Sequence, residues 1–377
     1  MAARRIAGMQ VPERLRPATK VFRDRVARVR SSFRRHGISA LLVVDAAPLR
    51  YLTGFTGSNG LLILRSSTAR LYTDGRYQEQ ARHEAGRVAA VHVVAGGLFE
   101  AAVREGGLRY CRVLGYDDRT FSNRHYKEVR RLLPSTRLVA VPGLVEQLAA
   151  VKDRAELTSL AAAAAISDRV FREILPLLRP GVRERDVALE ISYRQGKLGA
   201  ERDSFEPIVA SGPRSAMPHA KASDRPIARG DAVLMDFGCV VEGYGSDITR
   251  TVFVGRPHPE LKRLYGLVLE AQARARDAVQ AGVPGRVLDA LARGVIARAG
   301  YEKYFPHSLG HGIGLNVHEL PRIAPASRDL LTAGNVITIE PGVYLPGVGG
   351  IRIEDDVVVQ EGGSTLLTHS SRDLIQL

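Results

Sequence analysis

Residues 232–253 read AVLMDFGCVVEGYGSDITRTVF, and two carboxylates in this stretch decide what the chain builds. Asp236 interrupts the apolar run AVLMDFG, which otherwise reads as a buried β-strand. An ionised side chain in a strand core is costly unless a cation meets it. Asp247 follows the glycine-rich turn VEGYGS, so a hairpin would bring the two carboxylates onto neighbouring strands. Either one alone could be met by one of the chain's many arginines. The rest of the sequence argues for a different cation.

The arrangement recurs further along. Glu340 ends the run NVITIE, Glu354 closes IRIE before DDVVV, and the two flank PGVYLPGVGG, another stretch made for turning. His311 adds one imidazole. Four carboxylates carry a charge that two divalent cations balance, and oxygen-rich ligation with one histidine and no thiolate favours manganese, cobalt or zinc over a soft-metal site. Residues 20–36, 154–178, 185–196, 259–281 and 285–299 carry helical patterning. Helix, helix and hairpin therefore occur twice in the second half, which reads as a pseudo-symmetric core whose sheet holds both carboxylate pairs on one face.

The strings DFGCVVEGYGSDITRT, HSLGHGIGLNVHE, TIEPGVYLPG and GGIRIED resemble the metal-binding motifs of the pita-bread metallopeptidases, the group of aminopeptidase P, prolidase and methionine aminopeptidase. Upstream, RRHGISALLVVDAAPLRYLTGFTGSNG and LYTDGRYQEQA are similar to the amino-terminal domain that aminopeptidase P and prolidase share with creatinase. Methionine aminopeptidases lack that domain. The fold implied is α/β (α+β): a basic extension over 1–19, a creatinase-like α/β domain over 20–147, and a pita-bread catalytic domain with a curved antiparallel sheet over 148–377.

The resemblance also implies roles. Asp236, Asp247, His311, Glu340 and Glu354 would ligate two divalent metal ions, manganese first, with cobalt or zinc as alternatives. Glu340 would also accept the proton of the attacking water and pass it to the departing amine. His219 and His318 would be unliganded cleft imidazoles that hydrogen-bond the substrate or relay protons. Arg352, on the same strand face as Glu354, would brace a ligand or meet a substrate carboxylate. Tyr344 would hydrogen-bond substrate, its alternative being an ordinary strand tyrosine. Asp355 and Asp356 stay off the ligand list.

The activity implied is hydrolysis of the Xaa-Pro bond at the amino terminus of peptides, as in aminopeptidase P; the alternative is prolidase, restricted to Xaa-Pro dipeptides. A non-catalytic binding protein on this fold is a more remote reading, and its known forms lose metal ligands that this chain retains. Creatinase works without metal and is set aside on the same ground. The resemblance further implies a homodimer or homotetramer.

Composition is consistent with these expectations. The chain has 377 residues, 45% of them hydrophobic, enough for two cores. LAAAAAIS at 160–167 is too short for a membrane span and reads as a packed helix. Two distant cysteines, Cys111 and Cys239, give neither a disulfide framework nor a thiolate site, so a cytoplasmic protein is expected. Residues 1–150 hold 26 Lys plus Arg against 12 Asp plus Glu, whereas residues 151–377 hold 28 of each. The excess of positive charge is scattered and no nucleic-acid-binding signature accompanies it, so no such partner is expected. GFTGSNG lacks the Lys-Ser/Thr of a phosphate loop and reads as a turn, with Asn59-Gly60 as a hairpin signal.

Overall fold

The computed structural model describes residues 19–377, so the basic extension lies outside the described residues except for Thr19, which opens the first helix. The chain forms two units that part between Ala149 and Ala150.

In the amino-terminal unit, six strands lie in the order Ala90–Val93, Ala69–Thr73, Leu61–Arg65, Ala40–Val43, Val113–Tyr116, Arg137–Ala140. Every residue of the run ALLV at 40–43 is buried, as a strand covered on both faces requires. The helix Thr19–Ser31 buries Phe22, Val26 and Val29, spaced to share one face. Asn59-Gly60 does not close a hairpin. It ends a loop between the helix Ala46–Thr53 and the strand Leu61–Arg65, and the hairpin lies instead between Leu64 and Ala69. Asn59 serves as a loop clamp: its amide donates to Asp74 Oδ2 at 2.6 Å and its carbonyl accepts from Thr73 Oγ1 at 2.6 Å.

The second unit opens with helices α1 (Arg154–Ile174) and α2 (Glu184–Lys197). Helix α1 starts at Arg154 because Asp153 accepts from the amides of Ala155 and Glu156 while the Glu156 carboxylate returns to the Asp153 amide. Strands β1 (Ile208–Ser211), β2 (Ala232–Phe237), β3 (Cys239–Val241), β4 (Tyr244–Gly245) and β5 (Ile248–Phe253) follow. The order then repeats with α3 (Pro259–Asp277), α4 (Gly285–Arg298), β6 (Gly310–Gly312), β7 (Glu319–Ile323), β8 (Val336–Ile339), β9 (Gly342–Leu345), β10 (Gly349–Arg352), β11 (Asp355–Gln360) and β12 (Gly363–Leu366).

All pairings among these strands are antiparallel, giving one sheet in the order β5-β2-β1 and another in the order β7-β6-β8-β11-β12. The two meet where the Glu354 amide donates to the Thr249 carbonyl at 3.1 Å. The simple hairpins expected from the sequence are nested ones. β2 pairs with β5 around the small hairpin β3-β4, and β8 pairs with β11 around β9-β10.

Strand alternation sorts the side chains. Val233, Met235 and Phe237 pack with Phe171, Val187 and Ile191 of α1 and α2. Ile337, Ile339, Ile351, Ile353, Val357 and Val359 pack with Leu264, Val268 and Leu288 of α3 and α4. Each such buried side chain contributes about 1.5–3 kcal/mol. The residues between them, Asp236, Thr338, Arg352 and Glu354, therefore face away from the helices. A slip of one residue would exchange the two sets, so the helix-facing core holds the acidic face in register.

Candidate metal centre

Five acidic and imidazole side chains converge on that face. One ligand atom each from Asp247, His311 and Glu354 lie within 4.8 Å of one another. His311 Nε2 is 3.3 Å from Glu340 Oε1 and 3.9 Å from Asp247 Oδ2. Asp236 joins them through contact with Asp247 and through the charges of Glu340 and Glu354. All five sequence-derived ligand residues thus share one site, brought together from both halves of the pseudo-symmetric unit.

The electrostatics are those of a site built around cations. Burial, followed by the Glu354, Asp236, Asp356 and Glu340 carboxylates, pushes the Asp247 carboxyl well above its ordinary range. Burial and the same crowding push Glu354 well up. Burial also raises Asp236 despite the Arg352 guanidinium beside it. Burial opposes ionisation of Glu340 too, yet its hydrogen bond to His311 and the charges of His311, His307 and Arg352 hold it down at about 2. Asp236 Oδ1 and Asp247 Oδ1 are buried with no hydrogen-bond partner among the described residues. Orphaned, crowded carboxylate oxygens fit divalent cations, which would accept their lone pairs and relieve their repulsion.

His311 is oriented for the same purpose. Its Nδ1–H donates to the Gly312 carbonyl at 3.1 Å, which points Nε2 at the carboxylates, where it donates to Glu340 in the metal-free fold and would offer its lone pair to a bound cation. Glycines flank it of necessity: a Cβ at Gly310 would collide with the Thr338 carbonyl, and one at Gly312 with the Leu320 carbonyl.

A second layer holds the ligands. Thr249 Oγ1 donates to Glu354 Oε2 at 2.6 Å, and Thr338 Oγ1 donates to Glu340 Oε1 at 3.2 Å. Arg352 is 3% exposed, and its guanidinium donates to Asp236 Oδ2, Thr249 Oγ1, Tyr344 Oη and the Pro218 carbonyl. That leaves one of its five N–H groups, so the geometry fits the bracing role far better than a carboxylate receptor. Tyr344 is buried between Arg352 and His307; burial pushes its phenol up to about 12. Arg250, fully buried on the opposite side of β5, donates to the carbonyls of Thr249, Glu354, Ser370 and Ser371 and to Asp355. Asp355 is thus a structural partner of Arg250, whereas Asp356 accepts from the Asp247 amide at 2.9 Å.

His318 and His219 are exposed and stand outside the converging carboxylates and His311. The His318 ring lies edge-on to His311 with centroids 4.3 Å apart, and the partial desolvation of the ring on that side, together with the His311 charge, lowers its pKa. His219 sits in the loop that Arg352 grips at Pro218, near enough for its charge to be felt at both His307 and His318. His307 was not singled out from the sequence. Its Nδ1–H donates to the Ser308 carbonyl at 2.8 Å, and its Nε2 accepts from Tyr344 Oη at 2.9 Å. The signal available was its position four residues before His311, but it lies outside any strand pattern.

Residues 158–361 match the model of metallopeptidase family M24. The chain belongs to this family. Residues 25–151 match the creatinase/prolidase amino-terminal domain, so the family's two-domain architecture spans nearly the whole chain. An uncharacterized peptidase of Bacillus subtilis, YqhT, is 40% identical over 355 residues, which cover 94% of this chain and 100% of that one. The structure of a Xaa-Pro dipeptidase from Bacillus anthracis is similar with a TM-score of 0.91 at 40% identity, over 94% of this chain and 100% of that one. That of an X-Pro aminopeptidase from Thermotoga maritima MSB8 is similar with a TM-score of 0.85 at 38% identity, over 92% and 100%. The fold is the pita-bread fold of M24 metallopeptidases. No helix among the described residues is long and apolar enough to cross a membrane.

Proposed function

We propose that this protein is a metal-dependent Xaa-Pro dipeptidase. The sequence favours aminopeptidase P over prolidase, but relatives of nearly equal likeness carry both names, so identity does not choose between them. The observation that moves the order is Arg322. It is exposed on β7, four residues past His318 and near enough for its charge to act on that imidazole, and its side chain pairs with no carboxylate among the described residues. A free guanidinium beside the cleft histidine suits the carboxylate that ends a dipeptide and that a longer peptide does not present at the same place.

Asp236, Asp247, His311, Glu340 and Glu354 would hold two divalent ions, with manganese the first candidate. Such ions supply the positive charge that polarises a peptide carbonyl and makes water acidic enough to attack near neutral pH. Glu340, oriented by Thr338, takes the proton of the attacking water and delivers it to the departing proline nitrogen. His318 and His219 hydrogen-bond the substrate around the scissile bond, and Arg352 with Tyr344 holds Asp236 and the Pro218 loop in place. Both cysteines are buried and unpaired, in keeping with a cytoplasmic protein. We further propose a homodimer or homotetramer, with sedimentation as a monomer at working concentration counting against it.

A matched Xaa-Pro dipeptide and its carboxy-terminal amide test the assignment. The amide is expected to lose about 100-fold or more in kcat/KM, and Arg322→Met to lose a similar factor on the free acid while leaving the amide unaffected. Equal turnover of acid and amide would return the assignment to an aminopeptidase.

A further inference from the structure

We propose that Glu184 is a positioning residue for His219, acting through both ends of the loop that carries it. Glu184 is the first residue of α2, is fully buried, and stands far from the carboxylate cluster in sequence. Its carboxylate accepts five hydrogen bonds. Oε1 takes the Ser211 amide at 2.7 Å and the Ser211 hydroxyl at 2.8 Å. Oε2 takes the Ser223 amide at 3.1 Å, the Ser223 hydroxyl at 2.6 Å and Arg214 Nε at 3.0 Å. Ser211 ends β1 and Ser223 lies beyond His219, so one side chain closes the loop 211–223 at its two roots.

The closure extends to the histidine. Arg214, fixed by Glu184, donates through Nη2 to the Lys221 carbonyl at 2.7 Å, two residues past His219. On the other side, Arg352 donates to the Pro218 carbonyl at 3.2 Å, one residue before it. Ala220 is buried as the loop's anchor while His219 remains exposed. The backbone on each side of His219 is therefore tied to a guanidinium, one oriented by Glu184 and the other by the metal-site carboxylate Asp236. The helix terminus suits this use of a carboxylate. Its partial positive charge favours an anion at the first turn, and the Glu184 and Arg185 amides are already bonded to the Arg225 and Ser223 carbonyls of the returning loop.

Glu184→Gln would set an amide N–H₂ against a backbone donor in either orientation, the Ser211 amide on one side or the Ser223 amide and Arg214 on the other, so the loop would loosen at one of its two roots without loss of side-chain volume. The role of His219 in turnover rests on the function proposed above; its position does not. Two readouts separate them. In metal-free protein with ¹³C-labelled histidine, the His219 ring signal, assigned by its disappearance in His219→Ala, is expected to shift or broaden in Glu184→Gln while that of His369 stays in place. In manganese-loaded protein, Glu184→Gln is expected to lose about 10- to 100-fold in kcat/KM on an Xaa-Pro dipeptide. That loss should vanish in the His219→Ala background, because the two changes act on one group. Ser223→Ala, which removes a single bond of the five, is expected to show the same non-additivity at smaller size and serves if Glu184→Gln does not fold. An unmoved His219 signal, or losses that simply add, would overturn the proposal. A moved signal in a protein that cleaves no Xaa-Pro peptide would leave it standing and overturn the function instead.

Discussion

Glu340 sits where two demands meet, being both a proposed metal ligand and the carboxylate nearest His311 Nε2. Glu340→Gln keeps the size and one acceptor oxygen but removes the base, so turnover should fall by at least about 1,000-fold while most of the metal stays bound, as metal analysis of the purified variant would read. Arg352→Lys should be costly despite its retained charge, because a single ammonium cannot serve Asp236, Thr249, Tyr344 and Pro218 together. Of the five proposed ligands, Asp236, Glu340 and Glu354 were legible because each interrupts or ends an apolar strand pattern, whereas Asp247 was read from the glycine-rich turn before it and His311 from its motif. His307 and Arg250 were not legible. Their roles arise from contacts with Tyr344 and with the Glu354 carbonyl, which no local pattern reports. Titration follows from the same crowding. Asp247 and Glu354 have raised values in the metal-free fold, so that fold binds more protons than the unfolded chain and loses stability as pH rises above the ordinary carboxylate range. The gain in Tm on adding manganese should therefore be larger at pH 8 than at pH 6, and an equal gain at both would contradict this account of the ligands.

Helix positions followed from apolar spacing to within a few residues, and α1, α3 and α4 begin at a cap or proline. The nested hairpins did not follow. β3-β4 and β9-β10 are short, and the glycines that let them fold back look in sequence like one long turn. Gly238 shows the constraint: a Cβ there would collide with the Ser246 carbonyl on the way to Asp247. Gly238→Ala should thus cost both stability and metal affinity, whereas Asp153→Ala, which removes the cap of α1, should cost about 1 kcal/mol or more in stability by chemical denaturation with metal affinity unchanged.

Across the molecule, the two halves of the catalytic unit each contribute a nested hairpin, a covering helix pair and part of the ligand set, with His311 supplied by a strand of the second half. Neither half holds a complete site, which ties metal binding to the folding of the whole unit. The repeated order of helices and strands was readable from the sequence; the way Thr249, Arg250 and Glu354 stitch the halves together was not, because it joins residues more than a hundred positions apart. The most direct test of the account is hydrolysis of an Xaa-Pro dipeptide and an Xaa-Pro-Xaa tripeptide by metal-stripped protein, with and without added manganese. Manganese-dependent cleavage of the dipeptide, with the tripeptide spared, is the expected result. Cleavage of the tripeptide before proline would make the protein an aminopeptidase, and no cleavage of either with manganese, cobalt or zinc would contradict the assignment of this site to proline-peptide hydrolysis.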